Sequence, residues 1–274
     1  MPTGIPITEE LKKDVIEFYT SKPISIKKTA NHFKLSDPTI IKILDEYKIP
    51  RHKKALVYSP NMNEHYFENI DTEAKGYYIG FLITDGNVFV PKDGRQSSIS
   101  ITQSQEDEYI LQRFADEIGV SGNIGHDGRG CSTVAIRSDI MANDLKKYGI
   151  CENKTLTTTL PILNDDVMPH VIRGVLDGDG NIKSHQTSTR NRYAHAISFC
   201  GTHSLMENIR DFLVDKLGIF RSNVYDYEDR HLSEVKWQSV NDMFLIGEYL
   251  YGDANIYLKR KYDKYIEFKT HYGL

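Results

Sequence analysis

Asp85 and Asp179 occupy the same position of a ten-residue stretch that occurs twice in the chain. The first copy covers residues 79–88 and the second residues 173–182, and a Gly, a Leu, an Asp, a Gly and an Asn are identical in both. The copies lie 94 residues apart, which is too long for a stacked repeat unit. We therefore interpret them as a duplicated half-domain, with one acid in each half.

Both acids are predicted to end a helix. The residues before each aspartate have the apolar spacing of a buried helix, and Gly86 and Gly180 follow where a left-handed C-terminal cap is expected. The helix dipole disfavours an acid in the last turn by about 0.3–1 kcal/mol. Because both copies carry the same unfavourable acid, we infer that Asp85 and Asp179 are kept for function.

Gly80 and Gly174 predict how the two helices meet. Glycine inside a helix costs about 1 kcal/mol relative to alanine, and its benefit would be the close approach of a second backbone. Helices packed through these glycines would place Asp85 and Asp179 face to face across a pseudo-twofold axis. Two such carboxylates repel unless cations lie between them, and paired Mg²⁺ ions serve phosphodiester hydrolysis. The alternative is a pair of buried hairpin helices that simply end in Asp-Gly turns.

The two stretches resemble the LAGLIDADG motif of homing endonucleases, in its two-copy, single-chain form. Residues 176–180, Leu-Asp-Gly-Asp-Gly, are the closer match, whereas Ile83 stands in the first copy where an earlier acid is often found. That earlier position varies in the family, and the departure in the first copy suggests that Asp177 is not a metal ligand. The resemblance implies a metal-dependent endodeoxyribonuclease that hydrolyses both strands of one long double-stranded DNA site and leaves short 3′ overhangs. It also implies a mobile-element or intron-homing gene of a phage or microbe.

The resemblance also assigns the metal ligands. Asp85 and Asp179 would bind about two or three Mg²⁺ ions, for which Mn²⁺ can substitute. Backbone carbonyls of neighbouring residues, including Gly86 and Gly180, are further expected ligands.

Three other catalytic residues follow from the resemblance. Gln103 matches a metal-proximal glutamine position, and its counterpart in the second half is Gly201, so the two half-sites are expected to be unequal. Lys154 and Lys261 fall near the lysine positions of the family. For each lysine, a solvated phosphate contact or an ordinary surface charge is the alternative.

The sequence after each motif predicts a repeated order, so that each half is αββαββα and the fold class is α+β. The predicted strands cover residues 87–91, 97–103, 122–126 and 131–137 in the first half and 181–187, 195–201, 224–227 and 235–238 in the second. The predicted helices cover residues 106–118, 139–148, 204–217 and 241–250. Strands with one apolar and one polar face predict two antiparallel sheets, which form a pseudo-twofold saddle on DNA.

The polar faces of the predicted hairpins supply candidate base-reading residues, because a β-ribbon fits the major groove. Arg and Lys suit guanine, and Gln suits adenine. Each of these residues alone is also compatible with an ordinary surface position. The candidates are Arg95, Gln96, Ser98, Ser100, Lys183, His185, Gln186, Arg190 and Arg192.

Residues 1–50 predict three short helices with a tight turn before the third, which is typical of a helix-turn-helix. Thr8 and Ser36 are predicted to cap the first and third helices. Thr39 and Lys42 would face a DNA groove. A small protein-interaction module is the alternative interpretation.

The expected domains are the helix-turn-helix (1–50), a linker (51–74), the first half (75–160) and the second half with a basic tail (161–274). In the linker, the basic residues could follow a DNA backbone or form a solvated run; they are Arg51, Lys53 and Lys54.

The net charge of −4 does not exclude DNA, because the charge is unevenly distributed. Lys and Arg outnumber Asp and Glu by 11 to 7 in residues 1–57 and by 5 to 2 in residues 255–274, whereas the centre holds 18 against 29.

No apolar run is long enough for a membrane span, and no signal peptide is evident. Three cysteines without metal-binding spacing indicate a reducing, cytoplasmic setting. Internal symmetry predicts a monomer.

Two functions of other classes remain open. One is an RNA-binding splicing helper, and the other is a transcription regulator whose duplicated domain is catalytically inactive. Both would tolerate loss of the acids, so the presence of Asp85 and Asp179 favours cleavage. An intein is not expected, since no splicing domain precedes Met1 or follows Leu274.

Overall fold

The computed structural model describes residues 7–21, 26–49, 61–120, 124–126, 130–152, 158–187 and 193–274. The chain divides into two compact units, Met1–Tyr58 and Ser59–Leu274. Six of the residues singled out from the sequence lie outside the described ranges: Arg51, Lys53, Lys54, Lys154, Arg190 and Arg192.

The first unit contains the three predicted helices, which are α1 (Glu9–Thr20), α2 (Ile26–Phe33) and α3 (Asp37–Glu46). Both predicted caps are confirmed: the Thr8 hydroxyl accepts a hydrogen bond from the backbone N–H of Leu11 (3.2 Å), and the Ser36 hydroxyl accepts one from Thr39 (3.3 Å). A small core holds the helices together, formed by Val15, Tyr19, Ala30, Ile40, Ile43 and Leu44.

The second unit contains the duplicated α+β architecture that the sequence predicts. Its first half consists of α4 (Glu73–Asp85), β1 (Gly86–Phe89), β2 (Ser98–Ser104), α5 (Glu108–Glu117), β3 (Ile124–His126), β4 (Cys131–Arg137) and α6 (Asp139–Lys147). Its second half consists of α7 (Met168–Asp179), β5 (Asn181–Gln186), β6 (Tyr193–Gly201), α8 (His203–Leu217), β7 (Val224–Tyr227), β8 (Leu232–Trp237) and α9 (Val240–Tyr251). The basic tail forms one more helix, α10 (Lys259–Tyr272).

Each half forms one four-stranded antiparallel sheet, and the two sheets have the same topology, β1-β2-β4-β3 and β5-β6-β8-β7. Within β2, Ile99 and Ile101 are buried against the helices, while Ser98 and Ser100 are only partly buried on the other face. This alternation follows from the two-residue period of a strand. Each sheet therefore has a core face and a polar outer face.

Helix α4 is apolar on all sides because it lies inside the core of the second unit. Tyr77, Tyr78, Ile79, Phe81 and Leu82 are all completely buried. A helix that is hydrophobic all round is a core helix. Among the described residues, no helix combines the length and the apolar composition that a membrane span requires.

The predicted left-handed caps at Gly86 and Gly180 are wrong. Gly86 has φ −80° and ψ 146°, and Gly180 has φ −82° and ψ 177°, so both are extended and lead directly into strands. Glycine is required here for space instead. A Cβ on Gly86 would lie 2.5 Å from the carbonyl oxygen of Leu82, and one on Gly180 would lie 2.6 Å from that of Leu176.

Candidate active site

Helices α4 and α7 pack through the two predicted glycines, which confirms the close backbone approach. A Cβ on Gly80 would lie only 1.9 Å from the carbonyl oxygen of Val171, and a Cβ on Gly174 only 2.1 Å from that of Tyr77. Real Cβ atoms essentially never come this close to another heavy atom. Any larger residue at either glycine would therefore force the two helices apart.

This packing brings together the helix ends that carry the two acids. Asp85 is the last residue of α4, and Asp179 is the last residue of α7. A Cβ on Gly178 would lie 1.8 Å from the Thr84 hydroxyl and 2.9 Å from Oδ2 of Asp85, so the last turn of α7 lies against the end of α4. Thr84 and Asp179 also line a common cavity of about 90 Å³.

Lys261, predicted as a catalytic residue, lies at the same place. Its ammonium donates to the carbonyl oxygens of Leu176 (2.6 Å), Asp177 (2.6 Å), Gly178 (3.3 Å) and Gly180 (2.7 Å). The positive charge therefore caps the negative end of α7, where a cation is favourable.

Burial dominates the electrostatics of this lysine. It lowers the pKa of Lys261 to about 8, while the carboxylates of Asp177, Asp85 and Asp179 act in the opposite direction. Both motif acids are thus close enough to influence one ammonium. Since the carbonyl of Gly180 already accepts from Lys261, it is the least favoured of the predicted metal ligands.

Asp177 has all the contacts of a structural carboxylate. It is completely buried and accepts hydrogen bonds from the Tyr77 hydroxyl (3.0 Å), the Tyr251 hydroxyl (2.8 Å) and the backbone N–H of Leu258 (2.7 Å). Burial raises the pKa of Asp177. These three donors agree with the expectation that Asp177 does not bind metal.

Gln103 and Gly201 occupy equivalent positions in the two sheets, as predicted. Gln103 lies opposite Ser132 in the β2–β4 pair, and Gly201 lies opposite Ser233 in the β6–β8 pair. Strand alternation places Gln103 on the core side of its sheet, half-buried. One half therefore has an amide side chain at this position and the other half has none.

Cys200 is a neighbour of the site that sequence reasoning missed. It lines the same cavity as Asp179. Burial raises the pKa of its thiol to about 11, and Glu234 and Asp179 add to this effect. Only the pairing register of the second sheet reveals its position, because the spacing of the three cysteines gives no signal.

The predicted base-reading residues do not all lie on the outer faces. Lys183 and His185 are exposed on the outer face of the second sheet, with Ser98 and Ser100 on that of the first. Gln186 has the strand parity of the core side. Gln96 is exposed before β2. Arg95 is also exposed but pairs with Asp93 at 2.8 Å.

Two further basic residues on the outer faces were not predicted. Arg137 lies opposite Ser98, and Lys236 lies opposite Ser198. Both belong to strands whose partners can be identified only from the sheet register. In the first unit, Lys42 is exposed on α3, and the Thr39 hydroxyl is hydrogen-bonded to that of Ser36 (2.8 Å).

The donor set near the helix ends fits a hard cation in part. Among the described residues, no group of three or more His, Cys, Asp and Glu side chains converges as a metal site. Mg²⁺ does not require one, since it is usually bound through one or two carboxylates together with water and substrate phosphates. Asp85 and Asp179 are such carboxylates, so the residues present are compatible with Mg²⁺.

No family model matches the chain. Its fold is similar to that of the meganuclease I-SmaMI bound to uncleavable DNA, with 12% identity, a TM-score of 0.51 and coverage of 74% of this chain and 89% of that one. It is also similar to that of the LAGLIDADG meganuclease I-AabMI bound to uncleaved DNA, with 15% identity, a TM-score of 0.51 and coverage of 71% and 88%.

One curated protein shows sequence similarity. It is the DNA-directed RNA polymerase subunit Rpo1C of Methanocaldococcus jannaschii, which is 27% identical in an alignment over 122 residues that covers 42% of this chain. The chain matches 13% of the length of that protein.

Proposed function

We propose that this chain, whose fold is that of the LAGLIDADG homing endonucleases, is a site-specific DNA endonuclease that hydrolyses both strands of a double-stranded target. The observation that carries the proposal is that Asp85 and Asp179 each end one of two glycine-packed helices, and that the last turn of α7 lies against the end of α4. Each acid lies at a helix end where the dipole disfavours it. The second half repeats this arrangement, so it is not an accident of one sequence segment.

The two acids would hold divalent ions, with Mg²⁺ as the expected ion and Mn²⁺ as a substitute. When bound, such ions supply Lewis-acid polarisation of the scissile phosphates and a water of lowered pKa. Asp85 would serve one strand and Asp179 the other, because the acids come from pseudo-equivalent halves. Cuts on the two strands would then be offset, with the short 3′ overhangs that the resemblance implies.

Lys261 and Gln103 would support the reaction without binding metal. Lys261 places an ammonium against the end of α7, where it offsets both the helix dipole and the carboxylates. Gln103 offers an amide that can order water on one side only, since Gly201 has no side chain. The two strands would therefore be cut at different rates.

The outer faces of the two sheets would bind the DNA. They carry hydroxyl, lysine and histidine side chains from the predicted set, together with Arg137 and Lys236. A two-stranded ribbon of this kind fits the major groove. The basic first unit would add phosphate contacts, and its affinity would be sensitive to salt. One chain contains both halves and would act as a monomer on DNA of a mobile genetic element.

The test is cleavage of a randomised duplex-DNA library in Mg²⁺ by the full chain. Three variants accompany it: Asp85→Asn, Asp179→Asn and Asp215→Asn. Asp215 is exposed on α8, far from the motif ends in sequence, and serves as the matched control. We expect staggered ends at one enriched site for the unaltered chain and for Asp215→Asn.

Loss of double-strand cleavage in both Asp85→Asn and Asp179→Asn, with Asp215→Asn unaffected, would support the assignment of both acids to the cleavage reaction. Cleavage that persists in both variants would refute the assignment of the acids. Tight DNA or RNA binding by all four proteins without cleavage would instead support a regulator or a splicing helper.

A further inference from the structure

Residues 252–258, here called the strap, connect α9 to α10 and are held by side chains from both halves. Glu73 at the start of α4 accepts from the backbone N–H groups of Asn255 (2.7 Å) and Ile256 (3.0 Å). The guanidinium of Arg173 in α7 donates to the carbonyl of Ile256 at 2.7 Å. The strap therefore lies against both helices that carry the acids.

Helix α5 of the first half holds the strap from another side. Arg113 donates to the carbonyl of Asn255 at 2.8 Å, and the Tyr109 hydroxyl donates to that of Tyr257 at 3.2 Å. These groups bind backbone atoms, so they fix the path of the strap. A connection bound at this many points positions the start of α10, where Lys261 lies three residues after the end of the strap.

Asp177 joins the strap to Lys261. Its side chain accepts from the N–H of Leu258, the last residue of the strap, and its own backbone carbonyl accepts from the ammonium of Lys261 at 2.6 Å. Tyr77 of α4 and Tyr251 of α9 hold the same carboxylate in place. One residue of α7 thus fixes both the end of the strap and the lysine.

Helix packing by itself does not require an acid at this position. The equivalent residue of the first motif is Ile83, which is buried in the same helix pair and carries no polar atom in its side chain. A buried carboxylate is unfavourable unless its hydrogen bonds are made. Two of the donors to Asp177 are the backbone N–H of Leu258 in the strap and the hydroxyl of Tyr251 in α9. The acid in the second motif therefore connects α7 to both of these elements.

We propose that Asp177 is a positioning residue, which acts through the strap to hold Lys261 against the end of α7 beside Asp179. This inference rests on the proposed function and adds a residue to it. The difference between the two motifs is then explained. The end of α7 is capped by Lys261 of α10, and the strap that precedes α10 is held by the acid Asp177.

The experiment compares the full chain with Asp177→Ala, Asp177→Asn, Tyr77→Phe and Tyr78→Phe. Asn retains an acceptor oxygen and the shape of Asp, so it tests rescue. Tyr78 is the matched control, because it is buried beside Tyr77 on α4 but donates to the carbonyl of Ile110 at 3.0 Å and not to Asp177. Each protein is measured for single-turnover cleavage at saturating DNA in Mg²⁺, for DNA affinity without metal, for melting temperature, and for hydrogen exchange of the Leu258 amide.

We expect Asp177→Ala to cleave about 10–100-fold more slowly, since a displacement of about 1 Å is enough for such a loss. DNA affinity should change less than about threefold, and exchange at Leu258 should become faster. Tyr77→Phe should lose part of the rate and Asp177→Asn should recover most of it. Tyr78→Phe should keep the rate even where its melting temperature falls equally.

Equal rate losses in Tyr77→Phe and Tyr78→Phe at equal melting temperature would show that Asp177 serves stability alone. This result would overturn the proposal. Unchanged exchange at Leu258 in Asp177→Ala would overturn it as well, whatever the cleavage result. Normal cleavage by Asp177→Ala would overturn this inference alone, whereas no cleavage by the unaltered chain would overturn the proposed function and this inference together.

Discussion

The ammonium of Lys261 lies 2.7 Å from the carbonyl oxygen of Gly180, the residue that directly follows Asp179. A lysine 81 positions later in the chain thus closes the helix that ends in one of the two motif acids. Lys261 reaches this position because the strap sets where α10 begins, and not because it lies near Gly180 in the sequence. Substitutions of Lys261 therefore test whether this contact serves cleavage, stability or both.

Lys261→Met should impair cleavage more than DNA binding. The substitution keeps much of the side-chain volume but removes the donor to four carbonyl oxygens, so we expect a loss of about 1–3 kcal/mol in the free energy of unfolding. Cleavage at saturating DNA should fall by about 10–100-fold. Urea unfolding and single-turnover cleavage measure the two effects. Lys216→Met, which removes an exposed ion pair with Asp165, is the control and should change neither.

Gly174→Ala should be strongly destabilising. Its Cβ would lie 2.1 Å from the carbonyl oxygen of Tyr77, so α4 and α7 must separate, at a cost of about 3 kcal/mol or more. Urea unfolding of the full chain measures the loss. Gly125→Ala is the matched control, because the nearest atom would lie 3.8 Å away and its φ is not positive, and it should cost under about 0.5 kcal/mol. Equal stability of the two variants would contradict the glycine-mediated packing.

Arg137→Ala should weaken DNA binding in a salt-dependent way. The guanidinium is exposed opposite Ser98 on the outer face of the first sheet. If it contacts a phosphate, the slope of log affinity against log salt concentration should fall by about one. If it contacts a guanine, specificity at one base pair should relax by about 1–3 kcal/mol. Lys146→Ala on α6 is the control. An identical salt slope and an identical base specificity for the two variants would exclude Arg137 from the interface.

His203 should titrate above its ordinary pKa. Its ring nitrogen lies 2.8 Å from Oδ1 of Asp226, and this hydrogen bond raises the pKa of His203, while Ser233 and then His203 lower the pKa of Asp226. A base with a raised pKa in the folded state stabilises the fold below its unfolded pKa, about 6.5, and that stabilisation is lost as pH rises through the folded pKa.

NMR titration of the full chain measures this pKa directly. Asp226→Asn should return the pKa of His203 towards its ordinary value. Asp215→Asn, which lies on α8 together with His203, should leave the pKa of His203 unchanged. Identical titration curves in the unaltered chain and Asp226→Asn would show that the pair does not form in solution.

Much of the fold was predictable because it depends on local periodicity. The apolar spacing before Asp85 and Asp179 predicts α4 and α7, and alternation in Ile99 and Ile101 predicts β2 with its core face. The repeat predicted the duplication, and the sheet topologies confirm it. Boundaries were less accurate: β8 begins at Leu232, three residues before the predicted start. Strand ends depend on the partner strand, which local sequence does not encode.

The roles of the glycines were only half predicted. Gly80 and Gly174 are the close-approach points that the sequence indicated. Gly86 and Gly180 were expected to need positive φ, but the chain enters a strand at once and the glycines avoid contact with the preceding turn. Sequence identifies glycine as permissive, whereas the surrounding backbone decides whether conformation or space is the reason.

The sequence by itself determined that Asp85 and Asp179 are paired acids on duplicated helices, because identical residues at identical positions need no tertiary information to be recognised. Only the tertiary structure placed Lys261 at the end of α7, Cys200 beside Asp179 and Asp177 under the strap. These contacts join residues far apart in the chain, and their geometry depends on the sheet register and the path of residues 252–258. No local pattern fixes either of these, because hydrogen bonds to backbone carbonyls and N–H groups leave little trace in residue type.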